Sequence, residues 1–171
     1  MMKLIGSILF ITACSWVGFD VSKQLNKRAH ELRSFIYSLQ LIEAEMAYSR
    51  HTLKDIFLNV KRKTEGEVAS FYGRLAERLK KPVTHFETLW HDELTLLKKR
   101  STLKDNDIHI LSQFGKNIGN HTIEEQKKQI KLTVFYLQKQ LDEAIDQKNK
   151  YDRTVKSLGF LFGLLIVLIL I

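Results

Sequence analysis

A single cysteine, Cys14, rules out an internal disulfide and with it the stapled small-fold class. One proline, Pro82, and only eight glycines leave few natural breaks, so long helices are expected. Carboxylates are the scarcer charge, with 19 Asp and Glu against 27 Lys and Arg and a formal net charge of +8. Signatures of catalysis are missing as well. His30, His51, His85, His91, His109 and His121 are scattered, without HExxH spacing or neighbouring cysteines to complete a zinc site. There is no GxxxxGK[ST] phosphate loop and no GxSxG nucleophile elbow. His91-Asp92-Glu93-Leu94 spells a retention signal, but such addresses are read at a C-terminus. No catalytic residue, metal site or cofactor is expected, and the reading is of a protein that is not an enzyme.

What the chain does have is an uncharged apolar run near each end, Leu4 to Phe19 and Ser157 to Ile171, with every charged residue except Lys3 between them. Crossing a hydrocarbon core of about 30 Å takes roughly 20 helical residues, so both runs are short. They still suffice where Arg153 and Lys156 snorkel to the headgroups and the bilayer thins. The expected organisation is therefore a transmembrane segment over 1–19, a soluble segment over 20–156 and a second transmembrane segment over 157–171. Lys23, Lys27, Arg28 and Arg33 follow the first run, and Lys148, Lys150, Arg153 and Lys156 precede the second. Cations near spans stay in the cytoplasm during insertion, so the middle segment is expected to be cytoplasmic. The alternative is a secreted lipoprotein, an envelope binding module anchored through Cys14. Ile11-Thr12-Ala13-Cys14 resembles a lipidation signal, although the apolar run continues past it through Trp16, Val17 and Phe19 where a polar tether belongs.

Without Lys3, the middle segment holds 26 Lys and Arg against all 19 Asp and Glu, an excess of seven positive charges. A basic surface beside a bilayer fits anionic headgroups. Nucleic acid is set aside, because the cations alternate with acids at helical spacing and form no dense tract with exposed aromatics.

The middle segment reads as all helix, a bundle of about six helices between the terminal transmembrane helices. Threonines recur with an acid three residues on: Thr64 with Glu67, Thr84 with Glu87, Thr122 with Glu125, and more weakly Thr52 with Asp55 and Thr102 with Asp105. In that spacing the hydroxyl accepts from a first-turn amide while the acid reaches back, marking a helix start. The expected helices cover 20–49, 53–63, 65–80, 85–100, 103–118 and 123–156, with Pro82 and Gly119-Asn120 as stops.

Two of these helices carry continuous seams. Leu25, Ala29, Leu32, Ile36, Leu39, Glu43 and Met46 advance by alternating fours and threes. Ile130, Val134, Leu137, Leu141, Ala144, Lys148, Tyr151, Val155 and Leu158 do the same and run into the C-terminal apolar segment. Both helices are expected to leave the bundle as stalks. Glu43 interrupts the first seam and needs either an internal partner, a wet edge or a docking contact. Glu45 lies on a different face, so the two carboxylates do not converge for acid catalysis. Gly115 and Gly119, four apart near a helix end, suit close backbone packing and a helix stop, or else a partner-binding corner.

Several segments together carry a family resemblance: Gly18-Phe19, Leu39-Gln-Leu-Ile-Glu43-Ala-Glu45-Met-Ala-Tyr48, Phe114-Gly115-Lys-Asn-Ile118-Gly119 followed by Gln126, and Ser157-Leu-Gly159-Phe160-Leu-Phe-Gly163-Leu-Leu. In order and spacing they resemble the stage III sporulation protein AB family of endospore-forming bacteria over nearly the whole chain. That family is similar in its soluble part to the helical domains of the type II secretion platform protein F. The resemblance implies a membrane platform in the channel complex joining mother cell and forespore, in the mother-cell-derived membrane. It implies as partners a secretion-type ATPase encoded in the same operon and other membrane proteins of the channel, and leaves a homo-oligomer open. By the same resemblance Glu43, Glu45, Tyr48, Phe114, Gly115 and Gly119 are the candidate partner-binding residues.

Overall fold

The structure, a computed structural model, describes the backbone of residues 2–48, 52–80, 85–118 and 122–170. Side chains are described for 23–46, 52–80, 85–116, 118, 122–151 and 153–154. Among these residues there are six helices and no strand: α1 (Met2–Tyr48), α2 (Leu53–Lys63), α3 (Gly66–Arg78), α4 (Phe86–Arg100), α5 (Asp105–Asn117) and α6 (Ile123–Leu170). The all-helical bundle is as the sequence predicts. Among the described residues no helix is long and apolar enough to cross a membrane. The side chains of the two apolar runs, including Cys14, lie outside the described residues, as do Pro82, Thr84, Gly119 and Asn120.

Two threonine caps form as expected. Thr122 Oγ1 accepts from the Glu125 amide at 3.4 Å, while the Glu125 carboxylate accepts from the Thr122 amide at 3.0 Å. Thr52 Oγ1 likewise accepts from the Asp55 amide at 3.3 Å. Two others differ. Thr64 ends α2 instead of starting α3, because its hydroxyl donates to the Val60 carbonyl at 2.8 Å. The chain then turns into α3 through Gly66, whose φ of 63° only glycine adopts without strain. Thr102 is drawn away from α5 by a distant acid: its amide and hydroxyl both donate to Glu31 Oε2 at 2.8 Å. Asp107 takes over at that helix start, accepting from the Lys104 amide at 2.8 Å.

α1 and α6 each run unbroken for more than forty residues. They pack chiefly on each other. Of the two expected seams, Ala29, Leu32, Ile36 and Leu39 on α1 and Ile130, Leu137, Leu141 and Ala144 on α6 are buried. Glu43 lies near Lys131, whereas Arg28 reaches Gln140, so the helices are antiparallel. Hence the apolar N-terminal end of α1 and the apolar C-terminal end of α6 extend in the same direction. α2 and α3 pack on a second face of α1, α4 follows α3, and α5 closes the ring onto α6.

Phe35, Phe57, Phe71, Tyr72, Trp90 and Phe114, all fully buried or nearly so, fill the space between α1, α2, α3, α4 and α5. Edge-on contacts join Phe71 to Trp90 at 5.0 Å, Phe71 to Tyr72 at 5.2 Å and Trp90 to Phe114 at 5.5 Å between centroids. Such pairs prefer this geometry because ring edges are positive and faces negative. Ser38 Oγ donates to the Phe35 carbonyl at 2.7 Å, which leaves Tyr72 as the donor in its 2.8 Å contact with Ser38. Burial pushes the Tyr72 phenol well above its ordinary pKa, with Ser38 opposing the shift, and keeps it neutral.

Replacing Tyr72 with Phe is expected to cost about 1 kcal/mol at neutral pH, the net worth of one buried hydrogen bond. The unfolded phenol titrates near pH 10 and the folded one higher, so above about pH 10 unfolding releases a proton. Wild-type stability therefore declines as pH rises through that region, and Tyr72→Phe lacks this component. Denaturant titrations of the detergent-solubilised chain from pH 7 to 11 check both expectations; parallel pH curves would contradict them.

Candidate functional site

The six expected partner-binding residues fall in two places. Glu43 and Glu45 lie half-buried near the C-terminal end of α1. Glu43 Oε1 sits 3.7 Å from Lys131 Nζ on α6. Glu45 Oε1 accepts from Asn59 Nδ2 on α2 at 2.5 Å. Each carboxylate thus ties α1 to a different neighbour, and the first does so on a wet edge where ion pairs contribute little. Tyr48 is the last residue of α1, and its side chain lies outside the described residues.

Phe114 and Gly115 are buried where α5 packs on α4. Trp90 lies across them, held by its Nε1–H donating to the Leu111 carbonyl at 2.9 Å. A methyl group on Gly115 would overlap the Trp90 ring, so the position must be glycine for this packing to exist. The Phe114–Gly115 pair is placed inside the bundle, and Gly119 lies outside the described residues. A shallow groove opens beside Trp90, lined by Glu87, Thr88, His91, Ser112 and Lys116.

The densest polar constellation is one that the seams do not reveal. Arg28 stands among the cations that follow the first apolar run, yet its side chain is 3% exposed and Asp107 beside it 0%. Arg28 Nε and Nη2 donate to the two Asp107 oxygens at 2.9 Å each, and Nη2 also reaches Gln140 Oε1 at 3.3 Å. One turn along α1, Glu31 holds the α4–α5 loop through Thr102. Lys104 Nζ donates to Gln147 Oε1 at 2.9 Å on α6. This knot joins α1, α5 and α6. Every Asp107 oxygen is occupied by a donor, an arrangement suited to holding helices in register rather than to moving protons. Arg74 and Arg78 form a second, outer cluster on α3 with Glu93 and Asp92 of α4. Among the described residues no group of three or more His, Cys, Asp or Glu could hold a metal ion.

Removing one partner of a buried pair strands the other charge, so Asp107→Ala is expected to destabilise the chain by about 3–5 kcal/mol. Replacing both, as Arg28→Met with Asp107→Leu, is expected to recover all but about 1 kcal/mol, the lost cap of α5. Equilibrium unfolding of the single and double variants checks this. A double variant as unstable as the single one would show that the pair itself is what holds the three helices.

Comparison with known proteins bears on the arrangement as a whole. The family model described as stage III sporulation protein AB matches residues 3–171. A relative from Bacillus subtilis (strain 168), stage III sporulation protein AB, is 30% identical over 170 residues, covering 99% of each chain. A solved structure of stage III sporulation protein AB (SpoIIIAB) superposes with a TM-score of 0.68 at 24% identity, over 72% of this chain and 98% of that one, and so shares the fold. With a model match from residue 3 to the last residue and a full-length relative, the chain belongs to the stage III sporulation protein AB family.

Proposed function

We propose that the chain is a non-enzymatic membrane platform in a sporulation channel complex between mother cell and forespore. Its helical bundle faces the cytoplasm and docks a secretion-type ATPase. The observation that carries this reading is the antiparallel packing of α1 on α6, which sends both apolar runs out from one end of the bundle. A body held at one end by two short apolar helices has its opposite end and its flanks free for a cytoplasmic partner. Cations concentrate beside both runs, in keeping with a cytoplasmic bundle and an anionic leaflet. Family membership supplies the sporulation context. The resemblance of that family to the platform protein F of type II secretion implies the motor as the partner. The unbroken course of α1 through Cys14 supports a span over a lipid-anchored tether.

The test is recruitment. A secretion-type ATPase of the same operon, which the family resemblance implies, is expected to co-sediment with nanodiscs carrying the full chain and not with empty nanodiscs. If Glu43 docks the motor, Glu43→Ala weakens recruitment while the melting temperature changes little, since its partner Lys131 is largely exposed and the pair lies at a wet edge. Loss of thermal stability with recruitment intact would remove Glu43 from the docking surface. Absence of any recruitment by the wild-type chain would overturn the platform reading.

A further inference from the structure

The end of the bundle that faces the two apolar runs includes one segment that lies far from both in sequence. Long-range contacts draw the corner between α4 and α5 to that end: Thr102 donates to Glu31, Arg28 holds Asp107, and Lys104 Nζ donates to Gln147. Leu97 and Leu103 are buried on either side of the turn, so the corner is fixed to the core. Its outer side is basic. From Thr95 to Lys104 the sequence has Lys98, Lys99, Arg100 and Lys104 and no carboxylate, and all four residues are exposed. Among the described residues Lys98 is the one of the four that meets an acid, Asp105 at 2.5 Å. Glu31 and Asp107 are buried and engaged by Thr102 and Arg28, while Glu143 and Asp146 are exposed on α6. Cations in a last helical turn also complement the helix dipole. The end of α2, with Lys61, Arg62 and Lys63, has that pattern too, on a helix that Asn59 ties to Glu45 near the far end of α1.

The geometry points to the α4–α5 corner as a third membrane contact, in which Lys99, Arg100 and Lys104 bind anionic lipid headgroups of the leaflet that holds the two runs. This step rests on the platform reading, which puts the runs in the bilayer and the bundle on its anionic side. The reach is sufficient. Glu31 lies about 18 Å of helix beyond Phe19, and Gln147 about 15 Å before Ser157, at about 1.5 Å per residue. The runs are about 6–8 Å shorter than a hydrocarbon core of about 30 Å, which draws the bundle inward by part of that length. A headgroup layer of roughly 5–7 Å and an extended side chain of about 6 Å span what remains. Each such cation near an anionic surface strengthens attachment by about fivefold. An acidic protein would have to enter a gap of about 10 Å between bundle and leaflet, and nucleic acid there would be repelled by the lipid charge. Because the corner lies off the α1–α6 pair, this contact resists rocking of the bundle about its two stalks.

The test uses the full chain with Cys14→Ser and Asn106→Cys, the new thiol carrying bimane, in nanodiscs of phosphatidylcholine doped with a headgroup nitroxide lipid, with or without phosphatidylglycerol. Bimane on Ile123→Cys, exposed at the start of α6, gives the background for the opposite end of the bundle. Quenching at position 106 is expected to be at least about twofold stronger with phosphatidylglycerol than without it, and to lose that difference in about 1 M salt, where the screening length falls to about 3 Å. Lys99→Glu/Arg100→Glu is expected to remove most of the phosphatidylglycerol dependence. Lys99→Gln/Arg100→Gln, which adds no acid to the end of α4, should reduce it with little change in melting. Arg62→Glu/Lys63→Glu, at the end of α2, should leave it unchanged. Equal quenching in the two lipid mixtures, or a dependence that survives both α4 variants, overturns the inference and leaves the platform reading standing. Quenching at position 106 no stronger than at position 123 in either mixture overturns the membrane placement of the bundle and the inference with it.

Discussion

Two helices that pack antiparallel along their buried seams must send their free ends out from the same end of the bundle, and in this chain those ends continue into the apolar runs. Four buried residues of α1 and four of α6 make that seam. The remaining helices are arranged around it, with α2 and α3 on a second face of α1 and α5 against α6. Neither long helix is broken where the bundle ends.

Hydrophobic seams alone fix such a pair loosely along the helix axis, since leucine packs acceptably one turn up or down. The Arg28–Asp107–Gln140 knot is directional and tolerates no such slip, because three charge-assisted hydrogen bonds must be made together. Its cost is visible in Arg28 Nη1, buried without a protein partner. Burying an ion pair gives little net stability, but displacing it strands a charge, so a slipped register would carry that penalty. The Glu31 contacts with Thr102 have the same character and pin the loop that leads into α5.

Most of the fold was legible in the sequence because its signals are local. The starts of α2 and α6 follow from Thr52 and Thr122, whose hydroxyls have nothing better to bond, and the alternating four-and-three spacing identified both long helices. What failed was decided by residues far apart in sequence. Thr102 carries the spacing of a cap, yet Glu31, 71 residues away, offers a buried carboxylate that its amide and hydroxyl take instead. Arg28 reads as one more cation of a topological cluster, and only the arrival of Asp107 from α5 makes it a core residue. A signal was present, since Arg28 borders Ala29 and Leu32 on the apolar side of the helix. Gly115 was legible as a close approach, but not that the approaching group is the Trp90 ring.

The placement of the bundle relative to the membrane is the premise shared by the platform and the motor. It is tested most directly by labelling intact cells with a membrane-impermeant thiol reagent, using a chain with Cys14→Ser and Asn106→Cys. Asn106 is exposed in the first turn of α5, whereas the nearby Ser101 hydroxyl is buried and would give a misleading silence. Protection of the thiol until the cells are permeabilised is the predicted result. Labelling in intact cells would put the bundle outside and contradict it.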